Sequence, residues 1–85
     1  MYYVYLIKCE NKSIYTGVTN NLNRRFREHK EKTGGHYTAS HKVEKIIYTE
    51  AFETKSGALK RESQIKGWRR EKKLNLTKIN NVNFL

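Results

Sequence analysis

From Tyr2 to Ile7 every position is apolar or aromatic, so neither alternate face of an extended chain is left polar. Aromatic and β-branched residues favour the strand, and a strand apolar on both faces belongs in the middle of a sheet. Glu10-Asn11-Lys12 breaks the run with a polar turn, and Ser13-Ile14-Tyr15-Thr16-Gly17-Val18-Thr19 resumes β character, which predicts an antiparallel hairpin. Gly17 inside the second strand marks either a bulge or a place where another segment closely approaches the backbone.

The pattern then changes period. Asn20 or Asn21 can cap a helix whose Leu22 and Phe26 form an apolar pair one turn apart, with Arg24, Arg25, Arg27 and Lys30 polar, and which fades near Lys32. Thr33 to Thr38 carries turn residues without a pattern and reads as a loop. Val43 to Phe52 predicts a third, longer and partly exposed strand. Thr54 caps a helix through Ala58, Leu59 and Ile65 to about Lys66, with Gly67 as its stop and Trp68 as an anchor. A basic helix from Arg69 to about Leu76 would pack through Trp68, Leu74 and Leu76.

These elements make one α+β domain, a three-stranded antiparallel sheet flanked by helices over residues 1–78, followed by a tail at 79–85. At 85 residues the core is thin and a second folded unit is not expected. The longest apolar run is only a strand's length, against the roughly 20 residues of a membrane-spanning helix, so no membrane association is expected. No basic segment or small-residue cleavage site marks a signal peptide, and Cys9, the single cysteine, has no partner for an internal disulfide, so a cytoplasmic setting is expected. Cys9 closes an apolar run and reads as a buried small hydrophobe rather than a nucleophile.

Charge changes the picture more than composition. Eighteen Lys+Arg against eight Asp+Glu give a net charge of +10, which points to a polyanionic partner. Between Thr54 and Lys78 stand nine basic and two acidic residues, so much of the excess lies on the last two helices. Lys60, Arg61, Lys66, Arg69, Arg70, Lys72 and Lys73 there, with Arg24 and Arg27 on the first helix, are the candidate nucleic-acid contacts. His36 and His41 lack a cysteine partner and do not make a zinc site.

Three groups of residues carry candidate chemistry. Ala58, Glu62 and Ile65 share one helical stripe, which puts the Glu62 carboxylate on the face turned to the core, where it needs a cation: a basic side chain or a metal ion. Arg25 and His29 stand one turn apart at the edge of the Leu22/Phe26 stripe, where they either grip a phosphate or form part of a solvated face. Tyr5 and Tyr15 lie on paired strands close enough to converge. A phenol titrates near ~10, so it serves as a general base only where cations stabilise its phenolate, and otherwise it is a packing residue with a polar tip.

Tyr3-Val4-Tyr5, Tyr15-Thr16-Gly17, Arg25, His29 and the downstream Ala58-Leu59-Lys60-Arg61-Glu62, in this order and spacing, resemble the GIY-YIG nuclease superfamily. Within it the chain looks similar to the small stand-alone proteins of the UPF0213 group, related to the N-terminal catalytic domain of the bacterial excision-repair endonuclease. The likeness runs from Tyr2 to about Leu76. It departs at Tyr3, where the family name has glycine, and at Thr16, in the middle of the second motif. The late asparagine of some members has no secure match, though Lys66 could line the site instead, and His36 aligns loosely with a histidine of others.

The resemblance implies that Tyr5, Tyr15, Arg25, His29 and Glu62 gather in one cleft of a metal-dependent endonuclease. Its substrate would be nucleic acid, DNA first, in a setting of repair or recombination. It implies a single Mg²⁺ or Mn²⁺ held by Glu62 and waters, with Tyr5 as general base and Tyr15 orienting, or the reverse division. Arg25 and His29 would stand on the phosphate side. The rival expectation is a basic nucleic-acid-binding module that keeps the fold without turnover. A third is a subunit that docks on a partner protein, which would supply targeting, through Trp68 and the C-terminal tail.

Overall fold

The computed structural model describes residues 1–31 and 42–80. The expectations for the Thr33 to Thr38 loop, for His36 and His41, and for the end of the tail lie outside the described residues.

Strand β1 (Tyr2–Cys9) is the middle of a three-stranded antiparallel sheet of order β2-β1-β3, with β2 at Ile14–Thr19 and β3 at Val43–Phe52. Its run of apolar residues explains the position: Val4, Tyr5, Leu6 and Ile7 are each at most 1% exposed, a degree of burial on both faces that an edge strand does not reach. The hairpin closes through Lys12, whose φ of 69° places it in the left-handed region, and through Asn11 Oδ1, which accepts from the Ser13 amide. Gly17 sits opposite Tyr5 in an unbroken β1/β2 register, while the irregularities fall between β1 and β3, at Leu6/Ile7 and Lys8/Cys9. Of the two readings of Gly17, close approach is therefore the one realised.

The described residues also form helices α1 (Leu22–Lys30), α2 (Lys55–Lys66) and α3 (Arg70–Asn80). Asn21 caps α1 by accepting from the Arg24 amide, and Thr54 caps α2 by accepting from the Gly57 amide. At the end of α2, Gly67 adopts a right-handed backbone (φ −78°), so glycine's freedom is not what stops the helix. Helix α3 runs to Asn80, beyond the expected end near Leu76, because no glycine or proline interrupts the chain there.

Each sheet face has its own core. Val4, Leu6 and Tyr48 meet Ala58 and Ile65 of α2, with Trp68 and Leu76 packed alongside; Tyr5, Ile7, Cys9, Val43 and Ile46 face Leu22 and Phe26 of α1. Cys9 is fully buried, which pushes its thiol pKa up and makes it a poor nucleophile, as its place in the apolar run suggests. Leu59 stays outside, 42% exposed. Trp68 is half-buried against the core, with Arg61 and Lys72 over its ring at 5.1 and 4.3 Å. Among the described residues no helix is long and apolar enough to cross a membrane.

Candidate active site

The α1 face of the sheet carries a cluster built around Tyr5. Strand alternation puts Tyr5 on the same face as Tyr15, its diagonal neighbour across the hairpin, with ring centroids 6.3 Å apart. Gly17, directly opposite Tyr5, leaves the space that the phenol fills: a Cβ at Gly17 would collide with the Tyr5 hydroxyl and the ring carbon that bears it. The requirement is room, not backbone torsion.

Helix α1 delivers the other members. Thr19 Oγ1 accepts from the Asn21 amide, so the helix starts directly after β2 and brings Arg25 and His29, one turn apart, against Tyr5. Arg25 Nε donates to the Tyr5 hydroxyl at 3.3 Å, and the same oxygen lies 2.9 Å from His29 Nε2. Burial first, and then the Arg25 charge, push His29 down to about 4, so its imidazole is neutral near pH 7. Burial is also the largest influence on Tyr5, followed by the opposing Arg25 hydrogen bond and then the neighbouring acidic groups, and the balance lifts the phenol to about 12. A protonated phenol beside a neutral imidazole orders the bonds: Arg25 donates to Tyr5, and Tyr5 donates to His29 Nε2. The Tyr15 ring meets His29 edge-on at 5.1 Å.

Glu62 is no contact of the Tyr5 hydroxyl: it acts on that phenol through its charge alone, as the last of the influences after burial, Arg25 and Tyr15. The stripe reading holds, with Ala58 and Ile65 fully buried and the Glu62 side chain 16% exposed. Its carboxylate pairs with Lys66 Nζ at 3.4 Å, a partner that is itself 55% exposed.

Other expectations meet a different geometry. His29 is 1% exposed and bonded to a phenol inside the protein, so it is not at the edge of the face where a phosphate could reach it. Arg25 is half-buried and paired with Glu28 at 3.3 Å, a link that their i, i+3 spacing could have disclosed. Arg61 grips Glu50 through Nε and Nη2, donates to Gln64 and lies over Trp68, so it braces α2 against β3. Arg70 Nε donates to the Lys12 carbonyl at 2.8 Å, tying α3 to the hairpin turn. Lys73 is half-buried, and burial together with nearby Lys66 lowers its pKa. Arg24, Arg27, Lys60, Lys66, Arg69 and Lys72 are exposed. Among the described residues no group of three His, Cys, Asp or Glu side chains is placed to hold a metal.

A family model described as the GIY-YIG catalytic domain matches residues 1–75. A UPF0213 protein of Haloquadratum walsbyi is 43% identical over 75 residues, 88% of this chain and 84% of that protein. One from Staphylococcus aureus is 43% identical over 77 residues, 91% of this chain and 94% of its own. The solution NMR structure of a UPF0213 protein from Bacillus halodurans is 32% identical, with a TM-score of 0.55, and covers 93% of this chain and 85% of its own.

Proposed function

Because the chain belongs to the GIY-YIG family of nuclease domains, we propose that it is a divalent-metal-dependent endonuclease that hydrolyses phosphodiester bonds, with DNA as its substrate and repair or recombination as its setting. The observation that carries this reading is the pair of hydrogen bonds made by the Tyr5 hydroxyl, to Arg25 and to His29, beside Tyr15.

Hydrolysis of a phosphodiester requires a base for the attacking water and positive charge on the phosphate. Tyr5 is the candidate base. Tyr5 is 1% exposed, so the attacking water reaches its oxygen only where substrate binding opens the cluster. There the water's proton passes to the Tyr5 phenolate as the bond to phosphorus forms, the P–O bond to the 3′-oxygen breaks, and the departing oxygen takes a proton from solvent. The neutral, buried His29 acts through Tyr5, holding the phenol in place along the 2.9 Å bond. Arg25 contributes charge beside the phenol and draws it toward phenolate, against the pull of burial. Tyr15 packs against both rings and limits their rotation.

Glu62 fits a hard divalent cation: it is one mostly buried carboxylate whose ammonium partner is exposed and able to swing away, and a cation that keeps most of its hydration shell needs few protein ligands. Bound there, Mg²⁺ or Mn²⁺ would supply charge to the phosphate oxygens. The exposed cations, Lys60, Lys66, Arg69 and Lys72 on one side and Arg24 and Arg27 on the other, are the proposed backbone contacts.

Supercoiled-plasmid nicking with Mg²⁺ or Mn²⁺ tests the reading. Glu62→Gln and Tyr5→Phe should each lower cleavage by about 10²-fold or more, while DNA affinity stays within about twofold. Cleavage retained in both variants would discard the mechanism. The elevated Tyr5 and depressed His29 pKa values also favour a second reading, in which the bonded pair is a structural strut in a non-catalytic binding module. Wild-type protein that binds DNA but never nicks it under either metal would select that reading.

A further inference from the structure

A recess of about 350 Å³ opens beside the Tyr5 cluster, between the end of β2 and the starts of α1 and α2. Tyr2 and Val18 form apolar parts of its wall, and Arg24, Arg25, Lys55 and Glu28 form the charged part. Arg25 belongs to both places, since the guanidinium that donates to Tyr5 also lines the recess. Arg24 is exposed and steadied by Asn20, whose Oδ1 accepts from Nη2 at 3.1 Å. Lys55 is exposed and has no carboxylate within ion-pair distance among the described residues. The one acid in the wall, Glu28, is spent on Arg25.

Two cations without a carboxylate partner among the described residues, an aromatic ring and an aliphatic side chain around a concave space match the composition of a nucleotide. Phosphates take the cations, and a base takes the apolar wall. A base can enter a recess only when it is out of the duplex stack, because a paired base presents its edge and not its faces. Resting on the nuclease reading for its position beside the cut, we infer that this recess is a subsite for one unpaired nucleotide next to the scissile phosphate. Arg24 and Lys55 hold the phosphates on either side of that nucleotide, and Tyr2 and Val18 receive its base. The preferred substrate is then single-stranded or branched DNA, with the basic α2 and α3 surfaces serving any adjoining duplex.

Binding measured in EDTA tests the subsite without calling on catalysis. A single-stranded oligonucleotide and the matching duplex are titrated, at several salt concentrations, into wild-type protein and into the Arg24→Ala/Lys55→Ala double variant. Wild-type protein should bind the single strand about tenfold more tightly than the duplex. The double variant should erase that preference by weakening the single strand more than the duplex, and should lower the single-strand salt slope by roughly 0.7 for each phosphate no longer neutralised. Tyr2→Leu, which keeps an apolar side chain on the core, should weaken the single strand alone. Titration of ¹⁵N-labelled protein with thymidine 5′-monophosphate should move the Val18, Thr19 and Asn20 amides.

Equal weakening for both oligonucleotides, or amide shifts confined to α2 and α3, would overturn the subsite and leave the nuclease reading standing. Single-strand preference through Arg24 and Lys55 in a protein that never cleaves would do the opposite.

Discussion

Both faces of the sheet carry a buried cluster, and the two differ chemically. Toward α2, Val4 and Leu6 meet Ala58 and Ile65 in an apolar contact, with Thr16 and the Glu50-bonded Tyr48 hydroxyl as its polar groups; toward α1, Tyr5 meets His29 and Arg25 in a bonded polar cluster within an apolar surround. Successive residues of one strand thus supply an inert core and a candidate active centre. Burial has opposite consequences on the two sides. On the α2 face it contributes stability through area removed from water, whereas on the α1 face it also sets protonation, holding the Tyr5 phenol and the His29 imidazole neutral.

The largest way to break the α1 side is to fill the gap that Gly17 leaves. The Tyr5 ring cannot yield to a new methyl group, since it is 1% exposed and held by two hydrogen bonds. Gly17→Ala should cost about 3 kcal/mol, the range of an overpacked core, and should lower the denaturant midpoint without changing the m-value. Unchanged stability would mean that the phenol has room to retreat.

A smaller effect comes from pH. His29 has a folded pKa of about 4 against 6.5 for the ordinary side chain, with burial the largest cause. Above pH 6.5 both states are neutral and the residue contributes no pH dependence. As pH falls from 6.5 toward 4 the unfolded chain takes up a proton that the folded chain refuses, so stability declines across that window. Thermal unfolding from pH 7 to 4 should show this decline, and His29→Gln, which keeps an acceptor for Tyr5 but does not titrate, should flatten it. An equal slope in the variant would assign the decline to carboxylates instead.

Much of this asymmetry was written in the chain. An apolar run at every position could only be a central strand, the Asn21 and Thr54 side chains could cap the helices that follow them, and Glu62 on the Ala58/Ile65 stripe declared a carboxylate that faces inward. Periodicity did not give depth: it placed His29 beside the Leu22/Phe26 stripe, and only the packing of α1 on β1 decided that the imidazole went inside. Nor did charge counting give allegiance. Arg61 looked like a phosphate contact because its partner, Glu50, is eleven residues away on another element and becomes a neighbour only in the fold. The recess escaped for the same reason, as Tyr2, Arg24 and Lys55 come from three separate elements.

The smallest effect sharpens the comparison most directly, because it asks what one hydroxyl does on each face. Thr16 is 3% exposed, stands opposite Leu6, and its Oγ1 has no hydrogen-bond partner among the described residues. A buried hydroxyl without a partner carries a desolvation cost that nothing offsets, and valine preserves the branched shape and the strand preference. Thr16→Val should therefore stabilise the protein by about 1 kcal/mol, a rise of roughly 4–8 °C in Tm for a domain of this size. Removing the hydroxyl on the other face should have the opposite sign: Tyr5→Phe takes a bonded partner away from both His29 and Arg25 and should cost about 1–2 kcal/mol. Calorimetry on the two variants decides the matter. If both shifts carry the same sign, the faces do not differ in the way their hydrogen bonds indicate.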